Sequence, residues 1–146
     1  MKIKSFLLSL VAILIINISV AQEISRSEVP SIILNKFNNQ FSKAKDVEWE
    51  KGYDFYKVEF EASWGLDHDV WYNENGEMIK HKEELMSKNL PRVIKTDLKS
   101  KYKNYLIDDV EKITEGNKIT YKVEIEKLNE EVTLFYNEDG SILKVK

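Results

Sequence analysis

The chain is 146 residues long and carries 22 lysines and arginines against 25 aspartates and glutamates, a formal net charge of −3, with no cysteine. That length suits a single domain. The acidic balance argues against a nucleic-acid groove, which needs clustered basic side chains to displace counterions from phosphates, and the missing cysteines exclude a disulfide framework and a lipidated-cysteine anchor.

The first residues, "MKIKSFLLSLVAILIINISVAQ", place Lys2 and Lys4 before a largely apolar run from Phe6 to Ile16 and end in Ser19-Val20-Ala21. This reads as a secretory signal peptide over residues 1–21, cleaved between Ala21 and Gln22, where Ser19 and Ala21 supply the small side chains a signal peptidase requires. A membrane anchor is the competing reading, and the apolar run falls short of the ~20 residues that span a bilayer. Cleavage removes Lys2 and Lys4, so 20 basic residues face 25 acidic ones and the net charge of the remaining 125 residues is −5. Export without cysteine points to a bacterial periplasm or exterior, with stability supplied by packing alone and no membrane anchor after cleavage.

In "VPSIILNKFNNQF" (29–41), Ile33, Phe37 and Phe41 stand at i, i+4 and i+8, the stripe of an amphipathic helix. Pro30 fits near its start, because first-turn amides have no intrahelical acceptor to lose. Period-two alternation follows in Val47/Trp49, Tyr56/Val58/Phe60 and Val70/Tyr72, the mark of strands with one buried face. "YNENGEMIK" (72–80) holds Asn75-Gly76, a tight hairpin signal compatible with a two-residue type I′ loop or a type I turn with a glycine bulge. "HKEELMSKN" (81–89) reads as a connector. A second helix is expected over "LPRVIKTDLKSKY" (90–102), with Ile94, Leu98 and Tyr102 as its stripe, then strands at Tyr121/Val123/Ile125 and Leu134/Tyr136, and the hairpin phrase returns as "YNEDGSILK" (136–144).

These segments align as an internal repeat. The helices match at an offset of 61, with Pro30 on Pro91; "DVE" at 46–48 matches "DVE" at 109–111 at 63; "YKVEF" matches "YKVEI" at 65; and the hairpins match at 64. The chain is therefore expected to be one α+β domain over 22–146, made of two repeats (about 27–80 and 88–146). Each repeat is a helix plus about four antiparallel strands, and the two share a core or a continuous sheet because ~60 residues alone are marginally stable.

Signals for chemistry are few. The chain has two histidines, His68 and His81, and no G-x-S-x-G motif or cysteine to act as a nucleophile. In Asp67-His68-Asp69, strand alternation puts the aspartates on one face and the histidine on the other, so the three do not converge on a metal. Counting back from Gly76 or Gly140, the first ligand position of a calcium loop would be Trp71 or Phe135, which excludes that motif. No metal and no cofactor is expected, and the Lys/Glu alternation of "YKVEFE" and "YKVEIEK" reads as the wet face of the sheet. If Val70 and Tyr72 face the core, Trp71 points to the opposite face, Phe135 holds the same place in the second copy, and Phe55 lies on that face beside Lys57 and Glu59. Trp64, in "EASWGLD", stands at a hairpin tip. Aromatics ringed by charge resemble protein-binding hot spots; the alternative is that the other repeat or a second copy of the chain covers that face.

The signal peptide, the "V-P-x-x-(I/V)-x-x-x-F-x-x-x-F" helix at 29–41, "V-x-W" at 47–49, "Y-x-V-x-F" at 56–60, "V-x-Y-x-x-x-G" at 70–76 and "L-P" at 90–91 together resemble the secreted PepSY-like, β-lactamase-inhibitor-protein-like domains of Bacteroidetes-type bacteria. The second copy departs from the pattern, with Lys112 aligned to Trp49 and Leu98 and Tyr102 in place of the two phenylalanines. The resemblance implies helices packed on an antiparallel sheet, as in β-lactamase inhibitor proteins. It brings no catalytic residue, and a shared fold is not a shared target.

The resulting expectation is a periplasmic or secreted, non-enzymatic binding module for a protein or peptide, inhibitor-like in one form, with Trp64, Trp71, Phe55 and Phe135 as its partner-binding residues. The other expectation is a structural or chaperone-like envelope component that offers a sheet edge. Edman or mass-spectrometric analysis of exported protein should find Gln22 at the amino terminus; a retained Met1 or carbonate-resistant membrane association contradicts the signal-peptide reading.

Overall fold

The structure, a computed structural model, describes residues 21–146, so the expected signal peptide, apart from Ala21, lies outside the described residues. Nine strands form one antiparallel sheet in which each pairs with its neighbours in sequence: β1 Gln22–Ile24, β2 Lys45–Lys51, β3 Phe55–Glu61, β4 Asp67–Asn73, β5 Met78–Glu84, β6 Leu106–Glu115, β7 Lys118–Lys127, β8 Glu130–Asn137 and β9 Ile142–Val145. Helix α1 (Ser31–Gln40) joins β1 to β2, and α2 (Arg92–Lys101) joins β5 to β6. The α+β expectation is met, with each helix followed by four strands. β1 is an addition that three residues of no clear periodicity did not announce.

The helices form where the stripes place them. Pro30 and Pro91 stand immediately before the first helical residues, where a missing N–H costs nothing, and the carbonyl of each accepts a first-turn amide. Ile33 and Phe37 are buried from α1, and Ile94 and Leu98 from α2. The third member of each stripe, Phe41 or Tyr102, ends its helix, with its amide donating to the carbonyl of Phe37 or Leu98 at 2.8 Å. Two apolar clusters result. α1 covers Trp49, Tyr56, Val58, Phe60, Val70 and Tyr72, whereas α2 covers Val110, Tyr121, Val123, Ile125, Leu134 and Tyr136. The two tyrosines repeat one device: each ring is fully buried, and its hydroxyl donates to the covering helix, Tyr72 to Gln40 Oε1 at 3.2 Å and Tyr136 to Asp97 Oδ2 at 3.0 Å. Burial pushes the Tyr72 hydroxyl pKa up to about 12.

The repeated hairpin phrase has a packing reason as well as a turn reason. Gly76 N–H donates to the Asn73 carbonyl at 2.9 Å and Gly140 N–H to that of Asn137 at 3.0 Å, with φ of +73° and +85° at the glycines, which identifies a type I turn closed by a glycine bulge. Both turns press against a helix. A Cβ at Gly76 would meet Ile32 at 3.4 Å, and one at Gly140 would meet Val93 at 3.1 Å.

Residues directly paired across an antiparallel ladder share a face. Val70 pairs with His81, His81 with Thr114, and two residues away Lys112 pairs with the buried Tyr121. Both helices therefore lie on the same side of one continuous sheet, and among the described residues the other side carries no α-helix.

Two details of the repeat are corrected. Trp49 pairs with Val58 and Val110 with Val123, so Val110, not Lys112, stands where Trp49 does. The two "DVE" segments are not equivalent: the offset of 61 persists through β2 and β6, and the extra residues enter the β6–β7 hairpin, whose strands are 10 residues long against 7 in β2 and β3. The expected connector at 81–89 is also strand up to Glu84. β5 closes the first half and opens the second, since Glu84 pairs with Glu111 as Glu23 pairs with Glu50.

Phe37 meets the rings of Phe41, Trp49 and Phe60 at centroid distances of 5.7, 5.3 and 5.2 Å. Phe37→Ala is expected to cost about 3–5 kcal/mol in urea unfolding; a loss under ~1 kcal/mol would mean that α1 does not hold the first core.

Candidate functional site

The helix-free face is built by the same alternation that fills the cores. The residues between the buried positions of β3, β4 and β7 are Lys57, Glu59, Asp69, Trp71, Lys122 and Glu124, and the charged ones meet their neighbours as ion pairs. Lys57 contacts Glu59 and lies 3.9 Å from both Glu50 and Asp69; Lys82 bridges Asp69 at 2.6 Å and Glu111 at 3.3 Å; Lys122 bridges Glu111 at 3.3 Å and Glu124 at 2.6 Å. The relay runs unbroken from β2 to β7 across the seam between the halves. Partial burial opposes the charge on Lys82, but the bonds to Asp69 and Glu111 outweigh it and raise its pKa. One exposed pair contributes ~0–1 kcal/mol, so the network acts mainly by fixing side-chain positions.

Trp71 stands in this lattice as alternation requires. It is half-buried, with Lys57 Nζ 5.4 Å and Lys80 Nζ 5.0 Å from its ring centroid, distances suited to cation–π contact. Phe55 lies diagonally from it on the same face and folds over the β2–β3 turn, with its ring occupying the space a Cβ at Gly52 would need. Phe135 is four strands away on β8, ~19 Å at the usual strand spacing, under Lys146 Nζ at 5.7 Å. Trp64 sits at the opposite end of β4, in the short turn Ser63–Gly65, 86% exposed and with a left-handed φ of +71°. The structure thus brings Trp71 and Phe55 together and sets Phe135 and Trp64 apart from them.

The helix side holds a second cluster, at the seam. His68 follows the alternation away from Asp67 and Asp69 and faces α1's side of the sheet. There its Nδ1 lies 2.9 Å from Nε2 of His81 on β5. His68 stacks on Phe60 at 5.2 Å, and His81 meets Phe41 edge-on at 5.6 Å. Glu83, paired with His68 in the ladder, receives a bond from Lys112 Nζ at 2.9 Å. Burial lowers the pKa of both imidazoles, against the pull of the Glu83 carboxylate. Sequence reasoning placed His68 on the correct face and missed its meeting with His81. That meeting follows from the ladder, in which Val70 pairs with His81 and His68 with Glu83, so the two histidines are diagonal neighbours on one face. A shallow cleft beside α2, lined by Leu98, Tyr102, Tyr105, Lys95 and Lys99, had no sequence signal either.

The family described as beta-lactamase-inhibitor-like, PepSY-like matches residues 17–80 and 55–144. Among solved structures, a BLIP-like protein from Bacteroides fragilis is 26% identical, with 80% of this chain and 84% of that chain covered and a TM-score of 0.64. A DUF2874 family protein from Bacteroides ovatus is 23% identical over 80% of this chain and 86% of that one, with a TM-score of 0.65. A protein from Bacteroides eggerthii, provisionally assigned to the periplasm, shares 13% identity over 81% and 88% of the two chains at a TM-score of 0.68. No curated protein matches the chain.

Because the folded chain refuses protons that the unfolded chain takes up near the ordinary imidazole pKa of 6.5, stability should fall as the pH drops through that range. In chelator-treated protein, NMR titration of the imidazole C–H signals should give midpoints below 6.5 for both residues; midpoints at or above it would contradict the burial described.

Proposed function

The chain belongs to the PepSY-like, beta-lactamase-inhibitor-like family, and from that premise we propose that it is a non-enzymatic binding module of the periplasm or exterior that recognises a protein or peptide on the helix-free face of its sheet. The observation that supports this reading is the state of Trp71. A large aromatic side chain is held between two lysines inside a lattice of ion pairs, so little ordering entropy remains to be lost when a partner docks. Phe55 extends that patch. Phe135 is the equivalent position of the second half, and Trp64 is a separate exposed contact. Blocking an enzyme's surface is one use of such a face, consistent with the name carried by the Bacteroides fragilis relative. The signal-like start of the chain and the periplasmic assignment of the Bacteroides eggerthii relative support the location. The matching order of elements, turns and paired glutamates supports a tandem repeat of one helix-plus-four-strand unit.

A second reading, a structural or chaperone-like envelope component, is favoured by the edge strand β9. Lys146 exchanges both ladder bonds with Thr133, so the neighbouring Val145 turns its amide away from the sheet, open to an added strand.

Capture from native periplasmic extract, with mass spectrometry of the retained proteins, separates the two. Trp71→Ala should abolish capture while leaving the melting temperature nearly unchanged, and Val145→Pro should leave capture intact. The reverse pattern supports the edge reading. Destabilisation of Trp71→Ala by more than ~3 kcal/mol, the scale of a buried aromatic, would make Trp71 a structural residue and remove the proposed surface.

A further inference from the structure

We propose that His68, His81 and Glu83 form a binding site for a divalent transition-metal ion of the kind that favours imidazole, with Zn²⁺ as the reference ion. The site lies on the helix side of the seam, away from the face assigned to partner recognition, and does not depend on that assignment.

The chain contains two histidines in all, 13 residues apart, and adjacent strands bring them to 2.9 Å. One carboxylate oxygen of Glu83 joins them, and the three donor atoms lie within 4.8 Å of one another. The stack on Phe60 and the edge contact with Phe41 fix both rings, as a preformed ligand set requires. Packing alone does not call for imidazole here. In the second half Val132 pairs with Ile125 as His68 pairs with Phe60, and Val145 pairs with Leu134 as His81 pairs with Val70. The same fold fills both positions of the second half with valine, which offers no donor atom.

Tetrahedral coordination with metal–nitrogen bonds of ~2.0–2.1 Å separates two ligand nitrogens by about 3.3–3.4 Å. The imidazoles therefore need to part by about half an ångström, within the reach of small side-chain rotations. The proton they now share moves to the other nitrogen of its own ring: His68 binds through Nδ1 with its proton on Nε2, and His81 through Nε2 with its proton on Nδ1. Both rings stay neutral throughout. Lys112, 2.9 Å from Glu83 Oε1, leaves the second carboxylate oxygen for the metal and orients the group from outside, the arrangement common to ligating carboxylates. Three protein donors leave one tetrahedral position for water or an incoming donor. Calcium and magnesium, which require six or more oxygen ligands, do not suit this set.

The test uses tag-free protein stripped with chelator. Equilibrium dialysis against micromolar ZnCl₂ should find one zinc per chain, and dialysis against CaCl₂ none. On zinc addition the imidazole NMR signals of both histidines should shift together. His68→Val/His81→Val, which copies the second half, should fold and lose the zinc, and Glu83→Gln should weaken binding by at least roughly tenfold. Absence of stoichiometric zinc, imidazole signals unmoved at saturating zinc, or unchanged binding in Glu83→Gln or in a folded valine double variant overturns the assignment. If the double variant does not fold, the wild-type NMR shifts and Glu83→Gln decide the matter.

Discussion

The pairing of β5 with β6 is the constraint on which the rest of the molecule depends. Side chains alternate across a sheet, so a slip of one residue at this seam would turn every buried position of the second half to the opposite side. The observed register, Lys80 with Glu115 through Glu84 with Glu111, makes the two apolar clusters lie on one side and gives both helices the same side to cover. Ion pairs cross the seam on both faces: Lys82 reaches Glu111 on the bare side, and Lys112 reaches Glu83 on the helix side. Like-charged Glu84 and Glu111 face each other at its end, so the lysines on either side are part of what makes the register tolerable.

Much of this was legible as periodicity. The stripes Ile33/Phe37 and Ile94/Leu98 fall where the helices bury residues, and Tyr56, Val58, Phe60, Val70 and Tyr72 line the dry face at period two. What periodicity does not carry is register. Two bulges separate β4 from a simple hairpin with β5, and four extra residues in the β6–β7 hairpin let "DVE" align by coincidence. That coincidence sets Trp49 against Lys112, where the ladders set it against Val110, and the convergence of His68 and His81 has no signal in either strand alone, because it is a fact about two strands. Trp71 was placed on the right face, but its lysine neighbours come from β3 and β5 and were equally out of reach.

The two faces divide the chemistry. On the bare side, charge neutralises charge in a lattice that holds one tryptophan between ammonium groups. The helix side is dry except at the seam, where Phe41 and Phe60 shelter two imidazoles between the halves. The second half keeps valine at those places, so the halves share their scaffold and differ in what the scaffold presents.

The strictly sequential strand order has a mechanical consequence. β1 and β9 are the opposite edges of the sheet, separated by eight strand spacings, ~38 Å before twist. Tension applied through the two ends of the described chain acts across the strands and not along them. Every ladder between the two edges carries that tension, but it concentrates on the few bonds nearest each pulled end, so the outermost strands open bond by bond, as a zip does. The protein is therefore soft to stretching between its ends, and it yields from its edges inward, because the short edge strands β1 and β9 spread the shared load over the fewest bonds.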